Sequence, residues 1–133
     1  MGHEILAPKG WRAPRGYSNG IAAEGRQVFI AGQIGWDAAQ TLVSEDFVGQ
    51  FEQALRNIVS VLAEAGGQPE HVVRLTWFVV DRAEYLDAGK AVGEAYRRVF
   101  GKHYPAMSVV QVTALVEARA RVEIEATAVI PAS

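Results

Sequence analysis

The chain has 133 residues, half of them hydrophobic and 21% of them charged, which is the composition of a folded globular protein and excludes a disordered one. With 13 basic and 15 acidic residues the formal net charge is -2, so overall charge does not favour binding to nucleic acid. The absence of cysteine excludes disulfides, thiol nucleophiles and thiolate metal sites.

The length predicts a single domain over residues 1–133. The amino terminus has no apolar segment of signal-peptide length, and no run approaches the ~20 apolar residues that span a membrane. We therefore expect a soluble, cytoplasmic protein without membrane partners.

The first third of the chain predicts strands. Residues 1–15 contain Pro8, Gly10 and Pro14 and predict an extended lead-in with turns. The segments 17–21 and 27–34 predict two short strands joined as a β-hairpin, with Gly25 in the loop. Gly32 interrupts the second, otherwise apolar strand, which indicates either a β-bulge or the close approach of a ligand or a second backbone.

Apolar residues recur at helical spacing over 47–65 and predict a helix that buries one stripe. Ser44 is the predicted N-cap, with acidic residues in the first turn. Gly66 and Gly67 predict a left-handed end of the helix, and Pro69 prevents its continuation.

The segment 72–80 is β-branched and aromatic almost throughout and predicts a strand central to the sheet. Asp81 and Glu84 have the spacing of a capping box, so a second helix is predicted to begin there. Gly101 is predicted to end this helix.

Two strands are predicted at the end of the chain, over 104–112 and 121–130. The second alternates with a period of two residues, the pattern of a strand with one buried face. Its predicted buried face carries Val122, Ile124, Ala126, Ala128 and Ile130, and its other face carries Arg121, Glu123, Glu125 and Thr127.

This order of elements predicts a two-layer α+β domain in which two helices cover one face of a single mixed sheet. The strands around Ile30 and Leu75 are apolar on both sides, so the uncovered face of the sheet is predicted to contact other subunits.

Five segments spread over nearly the whole chain, in matching order and spacing, resemble the YjgF/RidA family, which is also called endoribonuclease L-PSP or translation inhibitor. They are 16–20, 29–34, 73–81, 104–106 and 122–129. The resemblance implies a chorismate-mutase-like fold with the order ββαβαββ. It also implies a homotrimer with three clefts between subunits.

In the best-known family members these clefts hydrolyse enamines and imines, such as 2-aminoacrylate, to a keto acid and ammonia. The resemblance implies that Tyr17 lies against the ligand, that the backbone of Gly32 faces the cleft and that Glu123 is associated with the attacking water. A carboxylate in that place can act as general base. An arginine that binds the substrate carboxylate is expected directly after Pro-Ala, and Met107 occupies that position. A thioether has neither charge nor donor, so the resemblance implies a less polar pocket. The alternative for Glu123 is an exposed strand residue in water.

Further candidates are weaker. Glu117, in the loop between the last strands, is a candidate second carboxylate or cation-binding group, or a surface charge. Met107 and Trp36 could form an apolar wall of the substrate pocket, or could be packing residues. Gln33 and Asn19 could form hydrogen bonds with a ligand. Alternatively, they have local structural roles at a strand end or in a turn.

A substrate carboxylate would need a different arginine. The candidates are Arg12, Arg15, Arg26, Arg74, Arg119 and Arg121, and Arg74 in the central strand is predicted to form a buried ion pair. His3, His71 and His103 lack metal-ligand spacing, so neither a metal nor a cofactor is expected.

The family resemblance implies three candidate functions. The first is hydrolysis of an imine or enamine other than 2-aminoacrylate, such as a 2-aminomuconate-like compound. The second is a small-molecule-binding or regulatory trimer without catalysis. The third, ribonuclease or translation inhibition, is disfavoured by the near-neutral charge and by the lack of a histidine pair for acid–base cleavage.

Overall fold

The computed structural model describes residues 3–132, which form an α+β fold. In chain order the elements are β1 (Glu4–Leu6), β2 (Gly20–Ala22), β3 (Arg26–Gln33), α1 (Phe47–Ala63), a 3₁₀ turn (Pro69–His71), β4 (Val72–Val79), α2 (Arg82–Asp87), α3 (Gly89–Phe100), β5 (Ala106–Gln111) and β6 (Val122–Ile130).

Four strands form the main sheet, in the order β3-β6-β4-β5. β6 is antiparallel to both of its neighbours, while β4 and β5 are parallel. The predicted central position of β4 is therefore confirmed. The predicted hairpin is wrong, because β2 pairs with β1 and the partner of β3 is β6. A local pattern locates a strand, but it does not identify a partner from the far end of the chain.

The helices pack on one face of the sheet, as predicted. α1 contributes Phe51, Leu55 and Leu62 to the core, where they meet Leu75 of β4 and Ile124 of β6, all fully buried. Burying these side chains supplies the main free energy that holds helix and sheet together.

The helix ends differ from the predictions in detail. The N-cap of α1 is Asp46, whose carboxylate accepts from the amide of Gly49 at 3.0 Å. Ser44 lies two residues earlier and accepts from the amide of Asp46, so its predicted capping role is wrong. The predicted left-handed end of α1 is confirmed, since Gly66 has a φ of 80° after the last turn.

The second predicted helix is divided into α2 and α3 at Ala88, whose ψ of 11° departs from helical geometry. Asp81 accepts from the amides of Ala83 and Glu84, so half of the capping box is confirmed. Glu84 instead accepts three hydrogen bonds from Arg121, at 2.7, 3.1 and 3.4 Å, because a charged fork binds a carboxylate more strongly than one amide does.

The other face of the sheet is not covered by a helix. Phe29 is 73% exposed there, but Arg74, Thr76, Glu125 and Thr127 share this face, so it is less apolar than predicted. The buried ion pair predicted for Arg74 is wrong, because this arginine is exposed and joins no ion pair within residues 3–132. No helix in this same range combines the length and apolarity needed to cross a bilayer.

Candidate functional site

Gly32 and Glu123 meet where β3 runs beside β6. The two strands pair regularly up to Ile30, opposite Ala126, and the register shifts before Gln33. A Cβ atom at position 32 would lie 2.0 Å from Oε2 of Glu123. The predicted bulge is therefore confirmed, and the space of the missing side chain is occupied by a carboxylate of the same chain, not by the ligand or second backbone of the alternative interpretation.

The Glu123 side chain lies on the open face of the sheet, where Glu123 pairs across the strands with Phe78. It is partly buried, and it takes part in no ion pair among the described residues. A carboxylate in this position is available to accept a proton from a bound water.

Tyr17 and Met107 lie together elsewhere, at a cavity of about 430 Å³ between α3 and the strands β4 and β5. Its aromatic walls come from Trp77, Tyr85, Tyr96 and Tyr104. Met107 pairs with Leu75, whose side chain is buried on the helix-covered side of the sheet.

Met107 and Glu123 therefore belong to opposite faces of one sheet. β4 runs between their strands, and Met107 and Glu123 pair with residues of β4 that are three positions apart, Leu75 and Phe78. The backbones of Met107 and Glu123 are therefore separated by roughly 10 Å across the strands and by roughly 10 Å along them. A single chain does not bring the carboxylate and the cavity into one site.

The sequence matches the family model described as Endoribonuclease L-PSP over residues 9–130. The chain belongs to the YjgF/RidA family. A relative from Myxococcus xanthus, Protein DfrA, is 38% identical over 129 residues, which cover 96% of this chain and 92% of that protein. The human 2-iminobutanoate/2-iminopropanoate deaminase is 34% identical over 114 residues, covering 85% of this chain and 79% of the human protein.

Solved structures of the RidA family have the same fold. A Rid-family protein from Yersinia pestis superimposes with a TM-score of 0.87 at 32% identity, covering 98% of this chain and 100% of the other. The YjgF protein of E. coli gives a TM-score of 0.69 at 30% identity, with 86% of this chain and 88% of the other covered.

Three other predicted site residues of this RidA-family chain lie outside the cavity. Gln33 donates to the carbonyl of Ala31 at 3.2 Å. Trp36 bridges to Leu42 in the loop before α1 and does not line the cavity with Met107. Asn19 lines a separate depression beside β1.

Glu117 lies in the loop between β5 and β6, where its carboxylate accepts from the amide of Arg119 at 3.3 Å. Gln50 of α1, fully buried, anchors this loop. Its amide nitrogen donates to the carbonyls of Ser44 and Arg119, and its oxygen accepts from the amide of Arg121 at 2.7 Å. Gln50 was not singled out from the sequence, although a polar residue within the apolar stripe of a predicted helix indicates a buried hydrogen-bonding role.

The candidate arginines have different roles. Arg121 is paired with Glu84, Arg119 approaches Glu45 at 3.7 Å, and Arg26 donates to the carbonyl of Ala65. Arg15 lines the cavity together with Arg97, which the sequence did not single out. A sequence signal for Arg97 exists, since it follows two cavity-lining glycines at the four-residue spacing of one helix face.

Two tyrosines of the cavity wall remain protonated at neutral pH. Burial raises the pKa of the Tyr85 phenol, and burial together with the nearby Tyr104 raises that of Tyr96. The Tyr96 hydroxyl donates to the carbonyl of His103 at 2.6 Å.

His3, His71 and His103, which are scattered in sequence, line one depression together with Glu70. Nε2 of His3 hydrogen-bonds to the carbonyl of Val129, and Nε2 of His103 to that of Val72. Within residues 3–132 no three of the His, Asp and Glu residues are arranged to hold a metal ion.

Proposed function

We propose that this protein hydrolyses enamines or imines and releases ammonia, in a cleft that two subunits of a homotrimer form together. The observation that carries the proposal is the Glu123 carboxylate, which lies against Gly32 where any other residue would clash with it. The name of the human relative, an iminobutanoate and iminopropanoate deaminase, supports the reaction type.

The chemistry needs one water and one proton carrier. Glu123 takes a proton from the water as its oxygen attacks the carbon of the protonated C=N bond, which gives a neutral carbinolamine. The protonated Glu123 then gives this proton to nitrogen, the C–N bond breaks and ammonia leaves, and the hydroxyl proton passes to Glu123 as the carbonyl forms. Release of that proton to solvent restores the carboxylate and balances the proton that the substrate nitrogen carried. An enamine enters the same route after protonation at carbon.

The need for two subunits follows from the geometry of the sheet. Glu123 lies on the open face of one chain, while Tyr17 and Met107 line a cavity on the covered side. The exposed Phe29 on the open face supports contact with a second copy, because a large apolar side chain at that exposure favours burial. Glu117 and Trp36 from loops, together with Gln33 from the end of β3, complete the proposed cleft.

Met107 defines which substrates are expected. A thioether does not bind a carboxylate, so small imines that depend on the family arginine are expected to be poor substrates. Larger or conjugated substrates, 2-aminomuconate-like compounds among them, fit the less polar cavity. The same substitution favours the second candidate function, a trimer that binds small molecules without catalysis.

Ammonia release from 2-aminoacrylate and from a longer conjugated enamine distinguishes the two candidates. Wild-type protein should hydrolyse the longer compound faster, Met107→Arg should gain activity on 2-aminoacrylate, and Glu123→Gln should lose activity on both. A wild type that is inert on both compounds, with Met107→Arg active, would favour the binding role. Unchanged turnover in Glu123→Gln would contradict the role of Glu123.

A further inference from the structure

The cavity beside Met107 is lined by aromatic rings in mutual contact. The ring centroids of Tyr96 and Tyr104 lie 5.3 Å apart in a stacked arrangement, and those of Trp77 and Tyr85 lie 6.0 Å apart edge to face. The volume of about 430 Å³ lies within the range of roughly 300–1,000 Å³ that is typical of small-molecule sites. A four-carbon imino acid would leave much of this space unfilled.

Trp77 brings an unpaired hydrogen-bond donor to this aromatic wall. Its side chain is 4% exposed, and its indole N–H has no hydrogen-bond partner among the described residues. Buried donors are nearly always paired, because an unmade hydrogen bond costs the full desolvation of the group. The nitrogen atom itself is buried behind the cavity wall, so a ligand that carries an acceptor would pair with the N–H after a movement of the wall side chains.

The helix side of the cavity provides space and a positive charge. A Cβ atom at Gly89 would meet nothing within 4 Å, and one at Gly93 would first meet Nη1 of Arg97 at 3.5 Å. The Arg97 guanidinium therefore lies over Gly93 at the exposed edge of the cavity. Neither Arg97 nor Arg15, which also lines the cavity, takes part in an ion pair within residues 3–132.

We infer that the cavity binds an aromatic 2-imino acid whose ring carries a hydrogen-bond acceptor, such as a hydroxyl group. The carboxylate pairs with Arg97, the ring packs against the tyrosines and Met107, and the indole N–H of Trp77 donates to the ring substituent. This places the carbon of the C=N bond, which adjoins the carboxylate, at the cavity edge.

The inference rests on the proposed function only in taking the ligand to be an imino acid. Its test uses stable carboxylates that need no turnover: 3-(4-hydroxyphenyl)propanoate, 3-phenylpropanoate and butanoate. Binding is followed in ¹H–¹⁵N spectra through the indole N–H signals, with Trp77→Phe used to assign the signal of Trp77.

The hydroxyphenyl acid should bind roughly five- to tenfold more tightly than the phenyl acid, the value of one net hydrogen bond, and butanoate should bind most weakly. Only the hydroxyphenyl acid should shift the Trp77 signal strongly downfield. Trp77→Phe should abolish the preference between the two aromatic acids.

Arg97→Gln should weaken binding of both aromatic acids about tenfold, the expected effect of losing a charge-assisted hydrogen bond. The neighbouring Arg98→Gln, which removes a guanidinium paired with Glu52 outside the cavity, should leave binding unchanged. An unmoved Trp77 signal, or equal binding by Arg97→Gln and wild type, would overturn the inference. Inactivity on every imine, with this binding pattern intact, would instead contradict the proposed function alone.

Discussion

Replacing Gly32 by alanine tests whether the position of the Glu123 carboxylate, and not merely its presence, determines activity. The added methyl group would lie 2.0 Å from Oε2 of Glu123, 2.8 Å from its Cδ and 2.9 Å from its Cγ. Because a Cβ atom essentially never lies closer than 3.0 Å to a non-bonded heavy atom, Oε2 of Glu123 must move by at least 3.0 − 2.0 = 1.0 Å.

A displacement of about 1 Å in a catalytic group can lower the rate roughly 100-fold. We expect a loss of this order in kcat/KM for imine hydrolysis by Gly32→Ala. The cost in stability should be only about 1 kcal/mol, because a flexible side chain can rotate away from the methyl group. The measurements are ammonia release and urea unfolding of the same preparation.

Gly20→Ala is the matched control, since its Cβ would meet Leu6 at an ordinary 3.4 Å, and it should keep full activity. Glu123→Asp should cost less in the Gly32→Ala protein than in the wild type, because the shorter side chain leaves room for the methyl group. Wild-type kcat/KM in Gly32→Ala would refute the assignment of Glu123.

Three further substitutions test the scaffold. Gln50→Leu should lower the free energy of unfolding by about 2–4 kcal/mol, because it leaves three partly buried backbone groups without their partner, whereas Gln53→Leu on the same helix should cost under about 1 kcal/mol in urea titrations. Asp81→Ala removes the N-cap of α2 and should lower the free energy of unfolding by about 1 kcal/mol, measured by thermal melting; an unchanged melting temperature would contradict the cap. Hydrogen bonds from two arginines lower the pKa of Glu52, so its stabilisation is present above pH 4.5 and is lost as pH falls through the lowered folded-state value. Glu52→Gln should therefore lower the melting temperature at pH 7, and this deficit should shrink as the pH falls below 4.5, whereas a deficit that stays constant as the pH falls would contradict this linkage.

Local patterns in the sequence predict most of the elements, because periodicity and caps are local properties. The alternation of β6 and the central position of β4 were correctly predicted for this reason. The pairing of β2 with β1 was not predicted, since partner choice depends on contacts across the whole fold. The division between α2 and α3 was also missed, because the apolar stripe continues through Ala88.

The candidate site was only partly predictable. Gly32 and Glu123 could be assigned one by one from the family resemblance, but their contact depends on the bulge that aligns β3 with β6. Arg97 was missed although it follows Gly89 and Gly93 at the spacing of one helix face, because this spacing does not show that the face lines a cavity until the helix lies over the sheet. The unpaired indole N–H of Trp77 has no sequence signature.

Complementation between subunits tests most directly the central claim that two chains form one hydrolytic site. Glu123→Gln lacks the proposed base, and Gly93→Trp fills the cavity with a large ring, so each homotrimer should be inactive. After the two variants are unfolded together and refolded as a 1:1 mixture, random assembly should give about a quarter of the clefts both functional halves, and ammonia release should recover to about a quarter of the wild-type rate. A mixture as inactive as its two parents would contradict the shared cleft.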